Sequence, residues 1–234
     1  MNKITIKDFA NNEIANQVYK MILNTNESVF LTGKAGTGKS AILTCIKTNT
    51  KKKLIILAPT AVAAKNVDGE TIHSVFKIPT NAIKTKFKFL EHLNYSYFDL
   101  TLFNELELIV IDEISMVTSA MLDLIDRILK RTRKNLKPFG GVQMLLIGDP
   151  LQLSPVVDKE DKIIINEKWD SEFFFDANSY KKVIKNSFEL TVCYRQNEEF
   201  FINFLDSLRI NSLTNSQINE INKICLNLKY LFYT

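Results

Sequence analysis

Four short apolar runs punctuate the chain: Ser28 to Leu31, Leu54 to Leu57, Leu108 to Ile111 and Val142 to Ile147. Each ends in turn-forming or polar residues and none alternates strictly, the pattern of parallel strands covered by helices on both faces. The intervals between the runs are long enough for crossover helices, since a parallel connection needs a dozen or more residues. The pattern therefore predicts an α/β domain on a largely parallel sheet flanked by helices.

The clearest helix runs from about Ser119 to Arg131. Met121, Leu124, Ile125, Ile128 and Leu129 recur there at helical spacing, and charged residues fill the other face. Thr214 and Gln217 stand at capping-box spacing before another apolar stripe, which predicts a helix start. Residues Lys77 to Asn104 are the hardest to read. Lys84, Lys86 and Lys88 alternate with Thr85, Phe87 and Phe89, so a solvated basic strand or loop and a nucleic-acid surface both stay open. No Pro/Gly/Ser-rich linker separates two full domains, and the simplest organisation is one domain with a small insertion.

Composition narrows the picture. The chain has 234 residues, 46% hydrophobic and 24% charged, enough for one sizeable core and not the make-up of a disordered chain. A net charge of +4 permits a nucleic-acid or membrane partner without requiring one. Cys45, Cys193 and Cys225 are an odd number at wide spacing, which suits a reducing compartment better than a zinc site or a disulfide framework.

Gly33-Lys34-Ala35-Gly36-Thr37-Gly38-Lys39-Ser40 matches G-x-x-x-x-G-K-[ST], follows the run SVFLT and precedes a helical stretch, AILTCIK. Its glycines let consecutive N–H groups converge on phosphate oxygens, Lys39 supplies a cation for the β/γ phosphates and Ser40 a magnesium ligand. The bland competitor, a Gly-rich turn before a surface lysine, fits that strand-to-helix context poorly. Asp112 and Glu113 end the run Leu108 to Ile111. Asp112 is placed to hold hydrated magnesium and Glu113 to orient or deprotonate water, against the alternative of a solvated acidic turn. Gln152, after the fourth run, can donate to a phosphate and accept from water at once. Arg195 offers a permanently charged fork, which the residues alone leave open as an ordinary surface arginine.

In order, GKAGTGKS, APTAVAAKNVDGETIHS, IVIDEISMV, GDPLQLSPV and YRQ resemble the first motor domain of a Pif1-like superfamily 1B DNA helicase, across roughly Asp8 to Leu213. The RecD branch is the nearest competitor; APTAVAAKN followed by TIHS, together with DEISM, favours Pif1. The resemblance implies a RecA-like P-loop NTPase fold with ATP and Mg2+ as cofactors. It also implies 5′ to 3′ movement along single-stranded DNA and duplex unwinding, in genome maintenance such as DNA repair and recombination. It places Gly33, Gly36, Thr37, Gly38, Lys39 and Ser40 in motif I, Asp112 and Glu113 in motif II, Gln152 in motif III and Arg195 in motif IV, reaching the γ-phosphate. Gln17 resembles the adenine-reading glutamine ahead of motif I.

On the DNA-facing side, the stretches around Pro59 to Ala61 and Thr71 to Ser74 look like motifs Ia and Ib, with Pro59, Thr60 and His73 as contacts. Hydroxyl and imidazole donors bind phosphates without reading sequence. His73 as a hydrogen-bonded core residue stays open, and a metal role is poor because the other histidine, His92, has no evident ligand partners. Phe76 is expected to pack behind this loop.

By the same resemblance, residues 1–213 form the RecA-like helicase domain with its small insertion, and residues 214–234 a helical lead-in to a second motor domain. The motifs of that second domain do not follow Arg195. One motor half cannot alternate its grip on DNA, so nucleotide binding, weak hydrolysis and no unwinding are expected of these residues alone. The expected partners are single-stranded DNA, a DNA fork and a second RecA-like domain, in cis or in a longer product. The alternative is a noncatalytic nucleotide-dependent module that binds DNA or a protein; a recombination or metabolic P-loop ATPase ranks third. No signal-like N-terminus and no run approaching the roughly 20 apolar residues of a membrane span is present. An intracellular setting is expected, cytoplasmic or nucleoid-associated, or nuclear in a eukaryote.

Overall fold

The structure is a computed structural model that describes residues 12–92, 94–192, 194 and 199–231. In chain order the first unit carries α1 (Glu13–Asn24), β1 (Val29–Gly33), α2 (Lys39–Asn49), β2 (Leu54–Ala58), α3 (Ala61–Asn66), β3 (Glu70–Thr71) and α4 (Ile72–Phe76). It continues through α5 (Tyr97–Glu105), β4 (Leu108–Ile111), α6 (Ser119–Thr132), β5 (Gln143–Ile147), α7 (Lys159–Asn166), α8 (Asn178–Val183) and β6 (Asn186–Leu190). The six strands form one sheet in the order β3-β2-β4-β5-β1-β6, and every pairing is parallel.

The continuous apolar runs are explained by two cores, one on each face. Leu108 and Val110 of β4 and Leu145 and Ile147 of β5 join Ala15, Val18 and Ile22 of α1 and Ile42 and Ile46 of α2. The alternate residues Ile109, Ile111, Met144 and Leu146 turn to the other face, against Phe103 of α5 and Leu122, Ile125 and Leu129 of α6. A strand with both faces buried has no polar side to show, so all four residues of β4 are buried.

The expected helix is α6, with Lys130 and Arg131 in its last turn, where positive charge opposes the negative end of the helix dipole. Thr118 caps its start by accepting from the Met121 amide at 3.0 Å. Asp123 ties α6 to the α8 region. Its carboxylate accepts from the indole of Trp169 at 2.8 Å, from the Ser179 amide at 2.7 Å and from the backbone and side chain of Asn178 at 3.1 Å each.

Residues 77–92 take the loop alternative of the expected basic strand or loop. They form turns and a short 3-10 helix at Lys88–Glu91, with Lys86 and Phe87 in the left-handed region at φ 48° and 63°. Phe87 is buried and Phe89 packs on the same core, so neither ring is presented to a nucleic acid. Lys84 pairs with Asp158 at 2.6 Å and Glu160 at 3.4 Å, and Lys86 approaches Glu167 at 3.5 Å. These lysines fasten the segment to α7.

A second compact unit begins at Cys193 and carries α9 (Glu199–Arg209) and α10 (Asn215–Leu231). The expected capping box is present at the start of α10. The Thr214 amide donates to the Gln217 side chain at 2.9 Å and the Gln217 amide to the Thr214 hydroxyl at 3.3 Å.

Candidate nucleotide site

Parallel sheets place ligand sites beyond the carboxyl ends of their strands. The segment Gly33 to Ser40 follows β1, Asp112 and Glu113 follow β4, Gln152 lies in the loop after β5, Pro59 and Thr60 follow β2, and His73 sits just after β3. In the sheet, β5 stands between β1 and β4, while β2 and β3 lie beyond β4. One edge thus holds the candidate phosphate cradle and, on the other side of Asp112, the candidate DNA elements.

The cradle is shaped by backbone conformation. Gly33, Gly36 and Gly38 have φ of 153°, 79° and 96°, values that side-chain-bearing residues rarely adopt. A Cβ on Gly33 would stand 2.7 Å from both the Leu190 carbonyl oxygen and Thr37 Oγ1. Gly38 is the N-cap of α2 and has no side chain to cap it, which leaves first-turn amides for an anion. The buried Thr37 hydroxyl donates to the Lys34 carbonyl at 2.8 Å and braces the loop from inside. The Lys39 ammonium folds back onto the carbonyls of Gly33, at 2.5 Å, and Lys34, at 3.0 Å, and Ser40 beside it is exposed.

Asp112 extends the ladder beyond β4, its amide donating to the Leu57 carbonyl at 2.9 Å. Burial pushes its carboxyl up to about 6, and the neighbouring Glu113 adds to the rise; the Glu113 amide and the charge of Lys39 oppose it. Lys39 and Asp112, 73 positions apart in the chain, are thus close enough to feel each other's charge. Glu113 has φ 53°, which turns the chain sharply after the strand.

The loop after β5 packs against that turn, because a Cβ on Gly148 would meet Ile114 Cγ2 at 2.9 Å. Asp149 is fully buried, accepting from the Leu151 amide at 3.1 Å and from the Gln152 amide side chain at 3.4 Å. It is a residue to which sequence reasoning gave no role, although it follows β5 by two positions. Exposed Gln152 is thereby positioned by a buried carboxylate.

Among the described residues no group of three or more His, Cys, Asp and Glu is placed to hold a metal ion. The donor set here, one carboxylate and one hydroxyl beside a phosphate cradle, fits Mg2+, which is usually held by one or two carboxylates plus substrate phosphates and water. The raised proton affinity of Asp112 fits as well, since a cation would relieve its repulsion with Glu113.

Of the other expected residues, Thr60 caps α3 by accepting from the Ala63 amide at 3.2 Å, which leaves its hydroxyl hydrogen as a donor. Pro59 and His73 are half-buried, and burial lowers the His73 pKa, favouring the neutral imidazole. Phe76 is fully buried and stacks on Phe103 at 5.4 Å, packing behind the loop as expected. Gln17 is exposed on α1, opposite the buried Ala15, Val18 and Ile22. Arg195 lies outside the described residues. No helix among the described residues is long and apolar enough to cross a membrane.

The sequence pattern of the PIF1-like helicase family matches residues 9–220. The chain is 34% identical over 203 residues to the ATP-dependent DNA helicase RRM3 of Saccharomyces cerevisiae, a match covering 85% of this chain and 27% of that protein. It is 34% identical over 201 residues to the ATP-dependent DNA helicase PIF1 of Candida albicans, covering 82% of this chain and 22% of that protein. Among solved structures, Bacteroides Pif1 bound to ssDNA superposes with a TM-score of 0.82 at 36% identity, over 91% of this chain and 49% of that one. Pif1 helicase from Bacteroides in complex with ADP-AlF3 and ssDNA gives 0.81 at 37% identity, over 89% and 48%. The chain therefore spans about half the length of these solved relatives and less of the curated ones. The glycine loop, the acid pair after β4 and the Gln152 loop lie at the ends of strands of one parallel sheet, and the chain belongs to the PIF1-like helicase family.

Proposed function

We propose that this chain is the ATP-binding motor domain of a 5′ to 3′ DNA helicase, in which ATP hydrolysis drives movement on single-stranded DNA and duplex unwinding. The observation that supports this most is the glycine cradle after β1, with its positive-φ backbone at Gly33, Gly36 and Gly38, on the same sheet edge as Asp112 and Glu113 after β4.

In this reading the loop amides and Lys39 bind the triphosphate, and Ser40 and Asp112 hold Mg2+. When bound, the cation would neutralise charge developing on the transferred phosphoryl group. Glu113 orients the attacking water and takes its proton, and Gln152, steadied by Asp149, contacts the γ-phosphate side. The roles of Gln17 toward adenine and of Arg195 toward the γ-phosphate rest on the family resemblance. Pro59, Thr60 and His73 face the DNA, and the neutral donors of Thr60 and His73 suit a sequence-blind grip. We place the motor domain at residues 1–213 and the lead-in to a second RecA-like domain at 214–234. Unwinding is the work of two such domains acting together.

MgATP calorimetry and steady-state turnover, with and without oligo-dT, test the reading. The expected result is MgATP binding with slow hydrolysis that DNA stimulates and Glu113→Gln removes while binding persists. Binding without turnover at any DNA concentration would support the noncatalytic module instead, and absence of MgATP binding would remove both readings.

A further inference from the structure

We propose that Tyr97 and Phe98 form a stacking platform for a nucleobase of single-stranded DNA, an inference that rests on the function proposed above. These two rings open α5 and are 88% and 78% exposed. Two adjacent aromatic side chains left in water offer π-faces that a planar ligand can cover.

The turn that presents them is held firmly. Ser96 and Asp99 form a reciprocal capping box, the Ser96 amide donating to Asp99 at 2.8 Å and the Asp99 amide to Ser96 at 3.2 Å. Asp99 also pairs with Lys77, the C-cap residue of α4. Tyr95, two residues before the pair, donates its hydroxyl to the Phe76 carbonyl at 2.7 Å and packs edge-on against Phe103 at 5.0 Å. The Lys77–Asp99 pair therefore fastens the first turn of α5 to the end of α4, the helix that carries His73. Exposed rings fastened to the end of the helix that carries His73, a proposed phosphate contact, match one way single strands are held without sequence preference, by stacking on any π-face.

Anisotropy titrations with labelled oligo-dT and with an abasic oligomer of equal length and charge separate the two contributions. The parent chain is expected to prefer oligo-dT. The Tyr97→Ala/Phe98→Ala variant should lose oligo-dT affinity by roughly 5- to 100-fold, keep its affinity for the abasic oligomer and melt at the parent's temperature. Tyr97→Phe/Phe98→Tyr should restore oligo-dT binding. If the parent binds oligo-dT and the double alanine variant binds it equally well, or loses both oligomers in equal measure, the platform is refuted and the proposed function stands. A parent chain that binds neither oligomer refutes the DNA reading and the platform with it.

Discussion

The ammonium of Lys39 rests 2.5 Å from the carbonyl oxygen of Gly33, six positions earlier in the same loop. The contact closes the loop on its own cation, with the Lys34 carbonyl as a second acceptor. Neutral carbonyls hold an ammonium less strongly than phosphate does. An arriving triphosphate can therefore take the lysine over while the glycine backbone keeps its shape.

Lys39→Ala should weaken MgATP binding by roughly 10- to 100-fold, the size of a lost charge-assisted hydrogen bond. The thermal midpoint should stay near that of the parent, because the interactions removed lie in a part-buried loop. Calorimetry and melting measured together check this, and unchanged affinity would contradict the assignment of Lys39.

Asp112 gives a pH signature. Its carboxyl is pushed up to about 6 by burial and by Glu113, so the fold favours the protonated form. Its contribution to stability is full below the ordinary carboxylate value and is lost as pH rises through about 6, an effect on the order of 2 kcal/mol. Urea unfolding of the nucleotide-free chain should show Asp112→Asn gaining on the parent between about pH 4 and pH 7. A constant difference across that window would count against the buried, charge-crowded carboxyl.

Gly33→Ala tests the cradle without touching charge. The added Cβ would press on backbone at Leu190 and on the Thr37 hydroxyl, at a φ of 153°. Strain of this kind costs of order 1–3 kcal/mol, so the variant should melt lower and bind MgATP more weakly. Parent-like melting and parent-like affinity would show that the loop has room the structure does not provide.

Asp123 makes an opposite pH prediction. Burial alone would raise its carboxyl, but hydrogen bonds from Ser179, Trp169 and Asn178 together outweigh that and hold it below the usual value. A lowered pKa contributes stability above the unfolded value near pH 4, and that stability is lost as pH falls through the folded value. The chain has one tryptophan, Trp169, whose indole bonds to Asp123, so its fluorescence reports on this contact. Asp123→Ala should destabilise by about 1–3 kcal/mol, since it strands the part-buried donors of Trp169 and Ser179. Its stability should also depend less on acid pH than the parent's, as measured by Trp169 emission.

Much of this was legible in the residues. β4 coincides with the run Leu108 to Ile111, and α6 with the Ser119 to Arg131 stripe to within a residue, because buried parallel strands and amphipathic helices leave strong patterns. β6 was missed: Asn186, Ser187 and Glu189 give it the look of a loop, and as an edge strand beside β1 it buries Leu190 fully while every other residue keeps some exposure. β3 spans two residues, too few for any periodicity. The Lys77 to Asn104 stretch could be read only as a strand or a loop, because its lysine alternation fits both, while ion pairs to α7 and left-handed turns at Lys86 and Phe87 decide for the loop. At the site, motif spacing exposed the loop and the acid pair. Asp149 was overlooked because its burial is a tertiary fact, although its bond to Gln152 is local to one turn.

The central claim is that Lys39 and Asp112 serve one magnesium-bound triphosphate. A double-mutant cycle of MgATP affinity, using Lys39→Ala, Asp112→Asn and both together, measures it directly. The account predicts that the two losses are strongly coupled, departing from additivity by at least about 0.5 kcal/mol. Strict additivity, or a single variant with undiminished MgATP affinity, would contradict it.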